Sequence, residues 1–225
     1  MMTPEQVADF QRDGAVVVRG LFKDWVDVMA EGVAENMANP GEYASENQVS
    51  EGRFFDDYCN WKRIPTFERV VRESPAAALA ATAMQSKTAQ FFHDHVLVKE
   101  PGTPKPTPWH QDAPYYFVEG QQTVSLWMPL DVVTGASLRF VAGSHTWDKM
   151  VRPVSWSDDS DFYETGDWIP VPDPDADPDQ MRVLEWAMEP GDTVLFDFRT
   201  VHGARGKATT ARRRALSLRW GGCGS

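Results

Sequence analysis

The segment PWHQDAPYY, residues 108–116, places a histidine and an aspartate two positions apart among prolines and aromatic side chains. On an extended segment, side chains at positions i and i+2 project to the same face, so we expect His110 and Asp112 to point together at one ion. An imidazole nitrogen and a carboxylate oxygen suit a divalent first-row metal, and a second histidine would complete a triad that leaves positions open on Fe(II). An H-x-D triplet alone is weak evidence, because such triplets arise by chance.

The second histidine that fits this pattern is His202, in the segment DTVLFDFRTVHGARG (residues 192–206), after a predicted strand and before a glycine. Arg213 follows at the start of the predicted strand RRALSLRW (residues 213–220). We expect the strand carrying His202 and the strand carrying a buried Arg213 to pair as neighbours. The arginine would then reach a carboxylate whose other end lies on the metal. Alternation puts Arg212 and Arg214 on the opposite face, towards solvent.

Three other histidines are alternatives to this assignment. His93 and His95 form an H-x-H on one face of a predicted strand and are a rival metal pair. We favour packing roles for them, or roles that support the metal ligands. His145, in AGSHTW, is expected to order a turn or to line the entrance of the site.

The N-terminal part, about residues 1–87, is predicted to be mainly helical. Thr3, Pro4 and Glu5 indicate the start of a helix that ends at Gly14. AVVVRGLF (residues 15–22) is predicted to be a strand, a second helix is expected within residues 23–37, and two short helices are divided at Pro75.

From about residue 88 to residue 225 the pattern changes to β. Short runs rich in β-branched and aromatic residues are cut by Gly and Pro, which indicates several strands and therefore a sandwich or barrel. Residues 152–181 are acidic and proline-rich without a clear period, and their aromatic residues favour a packed lid. The 225 residues are expected to form a single domain with a sizeable core.

Composition excludes several classes of partner. The net charge of −11 disfavours nucleic acid and anionic membranes, since both need a basic face. No apolar stretch has the length of a membrane span, and no signal peptide is recognised. Cys59 and Cys223 form no disulfide framework, which favours reduced thiols and a cytoplasmic location. Nothing in the sequence identifies an interface, so the oligomeric state is left open.

Several segments together resemble the phytanoyl-CoA dioxygenase family, the non-haem Fe(II)/2-oxoglutarate oxygenases with a double-stranded β-helix (jelly-roll, cupin-like) core. No single segment is specific, but the combination is, and it covers most of the chain. The segments are TPEQVADFQRDGAVVVRGLF (3–22), HDHVLVKEPGTPKPTPWHQDAPYY (93–116), TVSLWMPLD (123–131), LRFVAGSH (138–145), MEPGDTVLFDFRTVHGARG (188–206) and RRRALSLRW (212–220).

The resemblance implies a mainly β fold with flanking helices, and Fe(II), 2-oxoglutarate and O2 as cofactor and co-substrates. It implies that Arg213 binds the distal carboxylate of 2-oxoglutarate, a task that suits a planar guanidinium. The iron ligands would be His110, Asp112 and His202. The residues expected to line the co-substrate pocket are Lys99, Gln111 and Trp127.

The chain departs from the family at Ala204, where relatives commonly have a serine whose hydroxyl lies near the co-substrate. Ser217 or Thr200 is expected to supply that polar contact. Relatives that halogenate replace the metal-binding carboxylate with a small residue, so the presence of Asp112 favours hydroxylation.

The expected activity is hydroxylation of a C–H bond of a small-molecule metabolite, with release of succinate and CO2. Desaturation, epimerisation and ring closure use the same cofactors and stay open as outcomes. Two alternatives of a different class also stay open. One is a non-catalytic sensor of 2-oxoglutarate or metal. The other is a zinc-dependent isomerase or hydrolase, which would have no use for Arg213. The acidic chain favours a modest apolar or cationic substrate over a polyanion such as a CoA thioester.

Overall fold

A computed structural model of the chain describes residues 1–46, 52–102, 106–134, 137–154, 160–163, 165–176, 178–205 and 211–223. The described residues contain four α-helices and eleven β-strands. The helices are α1 (Pro4–Asp13), α2 (Val26–Ala38), α3 (Pro65–Glu73) and α4 (Ala76–Ala83). The strands are β1 (Ala15–Val18), β2 (Ser45–Glu46), β3 (Phe54–Tyr58), β4 (Ala89–Lys99), β5 (Thr107–His110), β6 (Thr123–Pro129), β7 (Leu138–Val141), β8 (Val183–Glu185), β9 (Thr193–Phe196), β10 (His202–Ala204) and β11 (Arg213–Gly222).

The strands form two sheets that pack face to face. The larger sheet has seven strands in the order β1-β9-β6-β11-β4-β3-β2, and the smaller has four in the order β5-β10-β7-β8. All of the strand pairs are antiparallel. This arrangement confirms the predicted mainly β, jelly-roll core with flanking helices.

The core has two main parts, one on each side of the larger sheet. On the outer side, aliphatic residues of the sheet pack against the helices, as Leu216 and Leu218 do with Phe67 and Leu79. Between the two sheets, Trp127 and Phe196 pack with Phe140 and Leu138 of the smaller sheet. Alternation along β11 assigns its even-numbered residues to the helix side and its odd-numbered residues to the space between the sheets.

The first helix begins and ends where the sequence predicts. The Thr3 side chain accepts from the Gln6 backbone, the Gln6 side chain returns the bond, and Gly14 ends the helix with a φ of 75°. A Cβ at residue 14 would lie 2.4 Å from Thr200 Oγ1, so a larger residue would not fit here. The Thr200 hydroxyl donates to the Gly14 carbonyl at 2.8 Å, which ties the end of α1 to the loop before β10.

Strand β3 and its short partner β2 were not predicted from the sequence, and they extend the larger sheet from within the mainly helical N-terminal part. FFDDY (residues 54–58) carries two adjacent aspartates, a residue type depleted in strands. Asp57 is nevertheless fully buried, because it accepts hydrogen bonds from the Asn36 amide and the Gly41 backbone.

The expected pairing of the strand that carries His202 with the strand that begins at Arg213 is wrong. β10 lies between β5 and β7 in the smaller sheet, and β11 lies between β6 and β4 in the larger one. The two strands, although consecutive, belong to opposite sheets, and the arginine faces the site from across the interior.

The described parts of the 152–181 segment pack on the domain. Val151 and Ile169 form a bridge, and the Tyr163 hydroxyl donates to the Pro114 carbonyl at 2.9 Å. Residues 155–159, 164 and 177 of this segment lie outside the described residues. Within the described ranges, no helix is long and apolar enough to cross a membrane.

Candidate active site

Three side chains converge between the two sheets. His110 ends β5 and His202 begins β10, and the two residues are directly opposite in the antiparallel pairing, with ring centroids 4.2 Å apart. Asp112 Oδ1 lies 3.8 Å from Nε2 of each histidine. All three residues are buried, and one ligand atom from each lies within 4.8 Å of the others. The structure therefore brings the three predicted metal ligands together.

The expected reason for this convergence was wrong in detail. β5 ends at His110, and Asp112 has helical backbone angles (φ −69°, ψ −39°) at the start of a 3-10 turn over Ala113–Tyr115. The chain bends after the strand, and the bend, rather than strand alternation, places the carboxylate beside the imidazoles.

Backbone carbonyls orient both imidazoles. His110 Nδ1 lies 2.8 Å from the Pro108 carbonyl, and His202 Nδ1 lies 2.9 Å from the Thr200 carbonyl. A carbonyl oxygen only accepts, so Nδ1 carries the proton and Nε2 presents its lone pair. Burial, followed by the neighbouring His202, lowers the pKa of His110 to about 3, and burial also lowers the pKa of His202. Both rings are neutral at neutral pH, which is the form that binds a metal.

The two oxygens of Asp112 have different tasks. Oδ2 accepts from the Ser125 hydroxyl at 3.2 Å and lies 3.6 Å from Arg219 Nε, so that Oδ1 is left to face the histidines. Burial alone would raise the pKa of Asp112. The charge of Arg219 and contributions from His202 and His110 outweigh that effect and lower the pKa to about 2. The carboxylate is therefore ionised and presents one oxygen to a metal.

Arg219 and Ser125 at this site were not predicted from the sequence. The buried guanidinium of Arg219 donates from Nε to the Tyr116 hydroxyl, beside Asp112. Strand alternation in the sequence could have indicated Arg219, because residues 213, 215, 217 and 219 share one face of β11. Ser125 pairs directly with Arg219 across the sheet, but that pairing is non-local and cannot be read from the sequence.

Arg213, Lys99 and Trp127 lie together at one end of the interior. Arg213 and Lys99 are directly opposite each other on β11 and β4, and both are buried. Burial lowers the pKa of Arg213 to about 10, so it stays protonated at neutral pH, and its Cζ lies 5.9 Å from the Trp127 ring. Like charges directly opposite in a sheet repel each other, so this end of the site favours an anion such as a carboxylate.

Gln111 differs from the expectation that it lines the co-substrate pocket. Its side-chain oxygen accepts from the Val151 backbone at 2.7 Å, and its amide donates to the Arg199 carbonyl. The Gln111 side chain thus joins the turn after β5 to two other loops.

The two candidates for the polar contact missing at Ala204 are distinguished by their surroundings. Thr200 donates its hydroxyl to the Gly14 carbonyl. Ser217 lines the interior between the sheets, and its buried hydroxyl has no hydrogen-bond partner among the described residues. Ser217 is therefore the better candidate.

The arginines next to Arg213 and the three remaining histidines are not part of the metal-ligand cluster. Arg212 and Arg214 form ion pairs with Glu100 and Asp131, on the opposite face from Arg213. His145 lies in a short 3-10 turn and contacts the Gln11 carbonyl through Nε2 at 3.2 Å. His93 and His95 do not join the cluster of potential metal ligands found among the described residues.

The three converging side chains open into a chamber of about 640 Å³ between the sheets. His93 and His95 line the chamber with Trp127, Ser217 and Arg219. The rest of the described lining is largely apolar and aromatic, and includes Phe54, Tyr58, Phe92, Tyr115, Tyr116, Phe117, Phe162 and Phe196.

The residues present fit iron(II) and 2-oxoglutarate. Two neutral imidazole nitrogens and one carboxylate oxygen are the donor set of a facial triad that leaves coordination positions open. Arg213 and Lys99 supply positive charge for a carboxylate at the same interior face. The donor set and the cationic end are therefore both available for these two groups.

Comparison with known proteins agrees with this geometry. The family model for phytanoyl-CoA dioxygenase (PhyH) matches residues 10–215. No curated protein matches the sequence significantly.

Solved structures share the fold at low identity. The non-haem α-ketoglutarate-dependent carbocyclase SnoK from nogalamycin biosynthesis is 19% identical with a TM-score of 0.78, over 98% of this chain and 84% of that chain. The epimerase SnoN from the same biosynthesis is 22% identical with a TM-score of 0.73, over 97% and 81%. EctD from S. alaskensis, solved with 2-oxoglutarate and 5-hydroxyectoine, is 18% identical with a TM-score of 0.72, over 98% and 76%. The chain belongs to the phytanoyl-CoA dioxygenase family of non-haem iron, 2-oxoglutarate-dependent oxygenases.

Proposed function

We propose that this protein is an Fe(II)- and 2-oxoglutarate-dependent dioxygenase that hydroxylates a C–H bond of a small-molecule metabolite. The observation that carries the proposal is the cluster of His110, Asp112 and His202, which opens directly into a chamber large enough for a substrate. The ionised Asp112 supports hydroxylation over halogenation, because its carboxylate would take the place on a bound iron that a halide would need.

In this proposal each residue has a defined task. His110, Asp112 and His202 hold the iron, and Ser125 and Arg219 keep one oxygen of Asp112 turned towards it. When bound, iron with 2-oxoglutarate supplies dioxygen activation coupled to the release of succinate and CO2.

Arg213 and Lys99 would bind the distal carboxylate of 2-oxoglutarate, and Ser217 would supply the hydroxyl that Ala204 lacks. Trp127 lines the chamber, its ring lies 5.9 Å from Arg213 Cζ, and it would pack on the co-substrate. Gln111 is not assigned to the co-substrate, because its side chain already binds two backbone groups. The aromatic lining excludes water from the reacting groups.

Other outcomes of the same cofactor chemistry remain candidates. SnoK is a carbocyclase and SnoN an epimerase, and both share this fold, so ring closure and epimerisation stand beside hydroxylation and desaturation. A non-catalytic sensor finds no support in the comparisons. A zinc-dependent hydrolase leaves Arg213 without a task. A cytoplasmic location and the absence of nucleic-acid and membrane partners stay predictions.

The test is succinate release by the Fe(II)-loaded enzyme with 2-oxoglutarate, ascorbate and O2, screened over a metabolite library. Hydroxylation adds one oxygen atom to the product mass, desaturation or ring closure removes two hydrogens, and epimerisation leaves the mass unchanged. Asp112→Ala is the matched control and is expected to release no succinate. Turnover of a substrate without O2 or 2-oxoglutarate would contradict the proposal.

A further inference from the structure

The mouth of the chamber is surrounded by aromatic rings, which we name the aromatic collar: Tyr58, Phe92, Tyr115, Phe117 and Phe162. Phe92 and Phe117 meet edge to face at 5.3 Å, and Tyr115 and Phe162 do so at 5.2 Å. Phe117 is 92% exposed and Phe162 is 52% exposed. Grouped apolar exposure of this kind is typical of a surface that contacts a ligand.

The charged groups of the chamber are confined to its inner end. Among the described lining residues, Asp112 and Arg219 carry formal charges at neutral pH, and they lie 3.6 Å apart beside the predicted metal ligands. His95 also lines the chamber, and its Nε2 lies 3.4 Å from Asp56. None of the five collar residues carries a charge, which favours a neutral ligand over a polyanion or a cation at the mouth of the chamber.

His93 is a polar group that lies among the aromatic rings of the chamber. His93 lines the chamber, and its Nδ1 lies 3.1 Å from the Asp94 carbonyl. Because a carbonyl only accepts, the proton is on Nδ1 and Nε2 is left as an acceptor. The ring is held edge to face by Phe92 at 4.6 Å and by Tyr116 at 5.3 Å. Burial lowers the pKa of His93 to about 3, so the ring is neutral.

We propose that the primary substrate is a neutral, planar aromatic compound that carries a hydroxyl or N–H group. The collar contacts the ring system, and His93 Nε2 accepts a hydrogen bond from the donor group. This inference rests on the proposed function only in treating the chamber as the site of the primary substrate. It replaces the broader expectation of an apolar or cationic metabolite, and it gives His93 a role in recognition.

The test is calorimetric titration of four probes into the protein loaded with Zn(II) and 2-oxoglutarate. In this complex a probe can bind without being converted, because Zn(II) is not redox-active. The probes are 2-naphthol, its methyl ether 2-methoxynaphthalene, the saturated alcohol decahydro-2-naphthol, and anionic 2-naphthoate. We expect 2-naphthol to bind about tenfold more tightly than each of the other three, from ring contacts and one hydrogen bond. Equal binding of 2-naphthol and the saturated alcohol, or tighter binding of 2-naphthoate, would overturn the inference.

Variants separate the two parts of the inference. Phe117→Ala should weaken 2-naphthol and its methyl ether alike, by about three- to tenfold. His93→Leu should abolish the preference for the naphthol over the ether, and His93→Gln, which keeps an acceptor and guards against misfolding, should retain part of it. His145→Leu is the matched histidine control outside the chamber and should change neither affinity. An unchanged preference in folded His93→Leu would refute the role of His93.

The outcome is distinguishable from failure of the proposed function. Succinate formation by the Fe(II)-loaded enzyme without any added substrate reports on the cofactors alone. If succinate forms but no naphthalene probe binds, the substrate inference is wrong and the oxygenase assignment stands. If 2-naphthol binds as expected but iron and 2-oxoglutarate yield no succinate under any condition, the oxygenase assignment fails and the recognition of aromatic alcohols stands.

Discussion

Replacing Ser125 with alanine tests how the fold presents Asp112 to a metal. The Ser125 hydroxyl is fully buried and donates to Asp112 Oδ2 at 3.2 Å. Without it, Oδ2 loses a hydrogen bond while Arg219 Nε stays 3.6 Å away, and the carboxylate gains freedom to rotate about its bond to Cβ. The variant removes one hydroxyl and leaves all three predicted ligands in place.

The expected loss follows from the charge on the acceptor. A hydrogen bond to an ionised group contributes roughly 1.5–3 kcal/mol. Loss of a partner that orients a metal ligand typically weakens metal binding by about 10- to 100-fold, which corresponds to roughly 1.4–2.7 kcal/mol. The free energy expected from the lost hydrogen bond therefore agrees with the free energy expected from the weakened metal binding. Arg219 still lowers the pKa of Asp112, so the carboxylate stays ionised and the loss should be the same at about pH 6 and pH 8.

The assay is calorimetric titration of the metal-free protein with Mn(II), a redox-stable substitute for Fe(II). Ser217→Ala is the matched control, since it removes a buried hydroxyl from the neighbouring strand that has no hydrogen-bond partner among the described residues. We expect Ser217→Ala to bind Mn(II) as the parent protein does. Unchanged affinity in Ser125→Ala, or an equal loss in both variants, would refute the reasoning.

Three further predictions concern individual groups. Asp112→Ala should lose iron binding and all turnover, whereas His95→Ala should keep its iron in a metal-content assay; the reverse pattern would mean that the ligands are misassigned. Arg213→Met should raise the Kd for 2-oxoglutarate by about 100-fold, because it removes charge-assisted hydrogen bonds, while Mn(II) affinity without co-substrate stays constant; an unchanged Kd would place the carboxylate elsewhere. Burial raises the pKa of Asp197 from 3.8 to about 6, so the folded state binds a proton that the unfolded state has lost. The free energy of unfolding should therefore fall by roughly 3 kcal/mol between about pH 3 and pH 7, relative to Asp197→Asn, and stay level above that; urea denaturation that shows parallel pH profiles for the two proteins would contradict this.

Local rules succeeded wherever the determining contacts are close in sequence. Helix α1 begins at the Thr3 N-cap and ends at Gly14 as predicted, because each end depends on residues within one or two helical turns. The division of α3 from α4 at Pro75 follows from the missing backbone donor of proline. The same locality explains why alternation assigned Arg213 correctly to the face opposite Arg212 and Arg214.

Predictions that needed two distant segments were less accurate. β10 and β11 are separated by few residues, and nothing in that connection indicates that they enter opposite sheets. Gln111 lies between two predicted ligands, so its sequence position suggested a role in the site. Its side chain instead binds Val151 and Arg199, which are remote in sequence.

The sequence by itself determined a mainly β fold with helices in its N-terminal part, and nominated His110, Asp112 and His202 as metal ligands, a set that the family resemblance favoured over His93 and His95. The fold class follows from periodicity and capping, and the nomination from residue chemistry, which act over a few residues. Only the tertiary structure decided which oxygen of Asp112 faces the histidines and that Ser125 and Arg219 contact its other oxygen. It also decided that His93 packs against the rings of Phe92 and Tyr116. These depend on pairing between strands far apart in the chain, and the energy of burying a charge beside its partner exists only once that pairing has formed.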